Sequence, residues 1–264
     1  MADNPTDRII VFHGADHKVG TTMLAQSVAE SIAMGHKDSK ILVLFLHAGT
    51  GKDYVRGGMG SLDQIRMAIE SNAVTFDCIM SRCKRQDNIF LMGGIDSFGI
   101  ERLFFPTAVD HIITAVKGKF DLIIIDSGND IDCGPAIGSL RQDASKILVM
   151  TQHETVVSRF EKTDEIFKKL KIEFSGVIIN KFRREDPYDA GYLSKRLGIE
   201  RQRLRSISRA EHGRKAEADH MTLLRYKNDK YRADIADASK WMLKPAGIAE
   251  TEGFKKGRKW IDFN

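Results

Sequence analysis

Short runs of apolar residues recur along this chain, and between them the apolar positions return every three or four residues. The runs lie at 8–13 (RIIVFH), 41–46 (ILVLFL), 88–92 (NIFLM), 120–125 (FDLIII), 146–151 (KILVMT) and 175–179 (SGVII). They are too short for helices and almost continuously apolar, which predicts strands buried on both faces. Helical spacing appears at 22–34, 62–70, 100–116 and 156–170, the last with charge partners four residues apart. Strands alternating with helices predict an α/β fold with a mostly parallel, doubly wound sheet. After residue 180 the chain turns polar and basic. YLSKRLGI there predicts a short helix, and 219–242 a longer one packing back on the sheet.

Length and composition narrow the picture without changing it. A chain of 264 residues fits one domain over 1–264, with 181–215 as a basic segment and 250–264 as a C-terminal tail. No apolar run reaches the length that crosses a bilayer, and MADNPTD lacks the basic start of a secretory signal. The expected location is therefore cytoplasmic. Cys78, Cys83 and Cys133 form no CxxC pair or zinc-like spacing, so reduced, mostly buried thiols are expected. The net charge of +5 is carried by residues 181–215, where 11 Lys/Arg face five Asp/Glu.

The first predicted strand leads through GADHKVGTTMLA into the first predicted helix. Free backbone N–H groups and the helix dipole converge on negative charge at such a turn, which predicts a phosphate loop from Gly14 to Thr22. Gly20 permits close backbone approach, and Thr22 is placed to offer its hydroxyl to Mg²⁺. A plain helix cap would use the same threonines. Asp126 ends an apolar strand, where a charged residue has little reason to sit unless it has a function or caps the next helix.

The succession RIIVFHGADHKVGTTMLAQSVAESIA, KILVLFL, NIFLMGG, KFDLIIIDSGND, ASKILVMTQHE and GVIINK resembles the MinD/ParA family of deviant Walker A ATPases, over residues 8–181. Within that family it is most similar to the TadZ/CpaE branch, which positions pilus-assembly machinery. The resemblance implies a P-loop NTPase fold, ATP or ADP with Mg²⁺ as ligand, and a homodimer that docks a protein partner. Secretion or pilus machinery at a polar or membrane-associated site is the implied partner. The nucleotide would be held by Asp16, His17, Lys18, Val19, Gly20, Thr21, Thr22 and Asn180, and the metal by Thr22 and Asp126.

Two lysines of the family's K-G-G-x-G-K-T-T motif are missing: Asp16 and Thr21 stand in their places. Phe45-Leu46-His47 replaces the family's D-x-D, so no residue is assigned a catalytic role and hydrolysis is expected to be slow or absent. Lys18 and Lys52 are candidate substitutes for the lost positive charge, and His47 a candidate base. One alternative reading is a ParA-like protein whose segment 181–215 touches DNA without reading sequence, against a merely solvated basic face. Another is an iron–sulfur reductase component using Cys133. The tail FKKGRKWIDF is weighed between peripheral contact with anionic lipid and docking on its own domain.

Overall fold

The computed structural model describes residues 8–97 and 99–244, so the expectations for 250–264 lie outside the described residues. Eight strands form one sheet: β1 Ile9–Gly14, β2 Ile41–Phe45, β3 Lys84–Gln86, β4 Ile89–Met92, β5 Leu122–Asp126, β6 Ser145–Met150, β7 Gly176–Phe182 and β8 Leu204–Ser208. Their order is β3-β4-β2-β5-β1-β6-β7-β8, all parallel except the β3–β4 pair. The helices are α1 Thr21–Gly35, α2 Arg66–Glu70, α3 Phe76–Met80, α4 Thr107–Val116, α5 Gly134–Leu140, α6 Glu154–Lys169, α7 Ala190–Leu197, α8 Gly213–Ala218 and α9 Asp229–Leu243.

Every residue of β1, β2 and β5 is buried, as their continuous apolar sequence requires of strands covered on both faces. From β1 the chain moves one way along the sheet to β2, and from β5 the other way to β6, β7 and β8. Right-handed crossovers then set α1 on one face and α5 and α6 on the other. The last helix, α9, packs on α1. Polar groups fix that contact: Ser27 bonds the Tyr231 hydroxyl at 3.0 Å, and Glu30 accepts from the Thr222 hydroxyl at 2.7 Å beside Arg225 at 3.3 Å. Burial raises the Glu30 pKa, and Arg225 and Thr222 pull it back only in part.

The predicted strands are all present, five within a residue or two, while β7 runs three residues beyond its predicted end, to Phe182. Three predicted helices are cut shorter. The stretch 62–70 begins as a 3-10 turn, Leu62–Ile65, before α2. The stretch 100–116 makes a 3-10 turn at Ile100–Leu103, then an extended Phe104, and only then α4, because Pro106 fits a helix start and not a helix interior. The stretch 219–242 breaks at the 3-10 turn Leu223–Arg225, where Thr222 is tied to Glu30, and resumes as α9. The basic segment is not uniform either: it holds α7 and the edge strand β8.

The candidate site at the phosphate loop

Strand order reverses at β1, which has β5 on one side and β6 on the other. In an open parallel sheet a crevice forms at such a switch, outside the carboxyl ends of the strands. The loop after β1 lies there. Its base is docked by the Gly14 N–H on the Gly128 carbonyl at 2.7 Å and the Ala15 N–H on the Val149 carbonyl at 2.8 Å.

The loop then turns through two left-handed residues, Lys18 (φ 57°) and Gly20 (φ 95°). Gly20 is required: a Cβ there would stand 2.5 Å from the Asn180 amide nitrogen. Gly20 also caps α1, accepting the first helical N–H from Leu24 at 3.0 Å. No side chain caps the helix and no acidic residue sits in its first turn, so its leading N–H groups have no side-chain acceptor.

The sequence-derived residues fall into three groups around this turn. Val19 is core, so only its backbone can serve a ligand. Thr21 is buried, its hydroxyl 2.5 Å from where a Gly14 Cβ would be, which packs it against the β1 backbone. His17 and Lys18 are exposed. Asp16 pairs with Arg159 of α6 at 2.9 Å and accepts the His17 N–H at 2.7 Å, so it is turned toward α6 and neutralised. Asn180, at the end of β7, donates to the Val19 carbonyl at 2.8 Å and is buried.

Asp126 ends β5 in the layer of Phe12 and Phe45 and is completely buried. Burial opposes its charge, but His47, the Thr22 hydroxyl and the Gly128 N–H together hold its pKa below the usual carboxylate value. Oδ1 accepts the Gly128 N–H at 2.9 Å, while Oδ2 has no hydrogen-bond partner and lies 3.4 Å from His47 Nε2. An ionised carboxylate whose Oδ2 faces only His47 at 3.4 Å and makes no hydrogen bond, beside the hydroxyl of Thr22 at the head of α1, fits the outer shell of a hydrated Mg²⁺. Thr22 would bind such an ion directly and Asp126 would accept from its water.

His47 does not serve as a base here. Its Nδ1 lone pair accepts the Gly49 N–H at 2.9 Å, and its Nε2 faces Asp126 Oδ2 at 3.4 Å, so the ring has no open acceptor for a water proton. Burial lowers its pKa and the Asp126 charge more than restores it; the Gly49 N–H aimed at Nδ1 nevertheless specifies the neutral ring with its proton on Nε2. Lys52 is committed to Asp96 at 2.5 Å and supplies no free charge to the loop.

Two residues that sequence reasoning did not assign stand at the loop. Arg159 arrives from α6 to meet Asp16, and Lys181 reaches the Lys18 carbonyl with its ammonium at 2.5 Å. Arg159 lay in no quoted motif, and Lys181 ended the run GVIINK without being given a role. Cys133 is buried just ahead of α5, burial pushes its thiol up to about 11, and Cys78 and Cys83 lie in or beside α3. Among the described residues no group of three or more His, Cys, Asp or Glu side chains is placed to hold a metal ion.

This arrangement defines a P-loop α/β protein. No protein-family model matches the sequence, nor does any curated protein. Solved structures match the fold. A ParA family ATPase from Chlorobium tepidum TLS superposes with a TM-score of 0.76 at 17% identity, over 89% of this chain and 99% of that one. The septum site-determining protein MinD from Pyrococcus horikoshii OT3, complexed with Mg-ADP, gives 0.72 at 18% identity over 93% and 99%. McdA from Cyanothece, in complex with ATP, gives 0.69 at 16% identity over 90% and 97%. The eight-stranded, mostly parallel sheet is thus that of MinD/ParA-type P-loop ATPases.

Proposed function

We propose that this chain binds a purine nucleotide, ATP or ADP with Mg²⁺, at the turn from Gly14 to Thr22, and works as a MinD/ParA-type positioning protein. The observation that carries the reading is the uncapped N-terminus of α1, with Thr22 beside the ionised Asp126 and the Gly20 turn braced by Asn180. Asn180 would also lie near a purine held over the loop. The neighbouring MinD with Mg-ADP and McdA with ATP supply the chemical class of ligand.

The same geometry argues for slow or absent hydrolysis. Phosphoryl transfer depends on preorganised cations and an oriented water, and each missing donor typically costs about 10²–10³ in rate. Thr21 is packed against Gly14, Asp16 is neutralised by Arg159, and His47 has no lone pair to offer. Mg²⁺, when bound, neutralises charge on the outer phosphates. The chain's own contribution is then to bind and hold the nucleotide rather than to cleave it. A nucleotide-stabilised homodimer that docks a protein partner follows, and the pilus or secretion machinery of the TadZ/CpaE likeness is the partner class we put forward. Among the described residues no helix is long and apolar enough to cross a membrane, so contact with a polar or membrane-associated site would be by recruitment.

DNA is the less favoured partner because three arginines of the basic segment are engaged within the chain. Arg196 clamps Glu154 and Glu161, Arg205 pairs with Asp237, and Arg203 donates to the Phe174 and Ser175 carbonyls. Titration with ATP and ADP in the presence of Mg²⁺, read by calorimetry and by sedimentation, tests the reading. Saturable binding with no measurable phosphate release is expected. Absence of binding at millimolar nucleotide, or turnover at rates ordinary for active relatives, would contradict it.

A further inference from the structure

The end of β7 is irregular in a way that serves the loop. Ile179 pairs with Ser206 and Phe182 with Ser208, so three steps along β7 match two along β8. That is a bulge, and it falls on Asn180 and Lys181. Lys181 takes a left-handed backbone (φ 54°), uncommon for a residue with a Cβ. In a regular strand, consecutive side chains leave on opposite faces. Here both turn to the same loop: Asn180 donates to the Val19 carbonyl at 2.8 Å and Lys181 to the Lys18 carbonyl at 2.5 Å. Bulges beside functional sites characteristically re-aim side chains in this manner.

The outcome is a pair of ammonium groups at one turn. Lys18 and Lys181 are both exposed, and among the described residues neither has a carboxylate within 4.0 Å. Partial desolvation, followed by the charge of Lys18, lowers the pKa of Lys181. Two like charges drawn together at an uncapped helix N-terminus, beside a loop that has lost its own lysine at Thr21, call for an anion.

We propose that Lys181 supplies the phosphate-binding cation of this site, its ammonium passing from the Lys18 carbonyl to the polyphosphate of a nucleoside di- or triphosphate. This rests on the nucleotide reading above. The role filled from within the loop in a standard phosphate loop is then filled from the end of β7, two strands away in the sheet.

Calorimetric titration of the full chain with ATP, ADP and AMP tests it, using Lys181→Ala, Lys181→Gln and Lys181→Arg, with thermal melting to confirm folding. A charge-assisted contact to phosphate is worth about 10–100-fold in affinity. Lys181→Ala and Lys181→Gln should both lose that factor for ATP and ADP, change little for AMP, and leave Lys181→Arg near wild type. Should Lys181→Gln bind like wild type, the residue braces the Lys18 carbonyl and the proposal fails; it fails equally if Lys181→Ala is unaffected. If Lys181→Ala does not fold, the Gln and Arg pair decides alone. Wild-type protein that binds no nucleotide overturns the underlying reading, a result distinct from either of these.

Discussion

At the scale of single residues, Gly20 illustrates how one position joins fold and site. With a φ of 95° and the Asn180 amide 2.5 Å from a would-be Cβ, any side chain here is strained and must displace Asn180. Gly20→Ala should destabilise the protein by about 1–3 kcal/mol, through left-handed strain and the displaced Asn180. Denaturant unfolding would measure the loss, and nucleotide affinity should fall with it, because the loop must move to relieve the contact. His47 shows the converse. A histidine at a strand end invites a catalytic reading, yet its two nitrogens are taken up by Gly49 and Asp126. What it does is hold Asp126 in place, in an ionised state, behind Thr22.

At the scale of elements, close approach decides as much as polarity. A Cβ on Gly138 would stand 2.2 Å from the Pro106 carbonyl oxygen, and one on Gly134 would collide with the Phe104 carbonyl oxygen. These glycines let α5 lie directly against the turn that starts α4. Backbone oxygens cannot swing aside as a side chain does, so Gly138→Ala should push α4 and α5 apart at a cost of about 1–3 kcal/mol. A lowered denaturation midpoint with unchanged slope would bear this out, and an unaltered midpoint would refute it. The clamp between α6 and α7 is of another kind. Arg196 engages Glu154 and Glu161 at 2.6 and 2.9 Å on an exposed surface, where it orders the segment after β7 more than it stabilises the whole.

Across the whole molecule, one buried group sets a pH dependence. His13 lies at the centre of the sheet, its Nδ1 donating to the Ser127 hydroxyl at 3.0 Å, which in turn donates to the Phe12 carbonyl. Phe167 and Phe174 flank its ring. Burial lowers its pKa to about 4, more than Asp126 and Asp130 raise it. The unfolded chain therefore takes up the proton first, near its ordinary value of about 6.5. The contribution of His13 is intact above that pH, is lost progressively on acidification, and levels off below about pH 4. Between pH 7 and 5 the expected loss is about 2 kcal/mol. Urea unfolding of wild type and His13→Leu at the two pH values isolates it from the opposite contributions of His47 and Glu30, whose pKa values are raised; an equal slope in the variant would assign the effect elsewhere.

By itself the sequence determined the layers of this protein, because burial on both faces demands continuous apolar strands, and those are visible at β1, β2, β5 and β6 without any partner. It also located the loop after β1 and the carboxylate at Asp126, since strand, turn and helix are local in the chain. It did not disclose β3, whose Lys84-Arg85-Gln86 lies at a sheet edge, or β8, whose LRSIS carries little apolar signal. Nor did it disclose two charged residues that meet the loop. Arg159 and Lys181 come to the loop from 143 and 163 residues away in the chain, measured from Asp16 and Lys18 respectively. A bulge, a strand order and a crossover direction bring them there. Those features arise from pairing between distant segments, so only the tertiary structure could decide which positive charges face the turn.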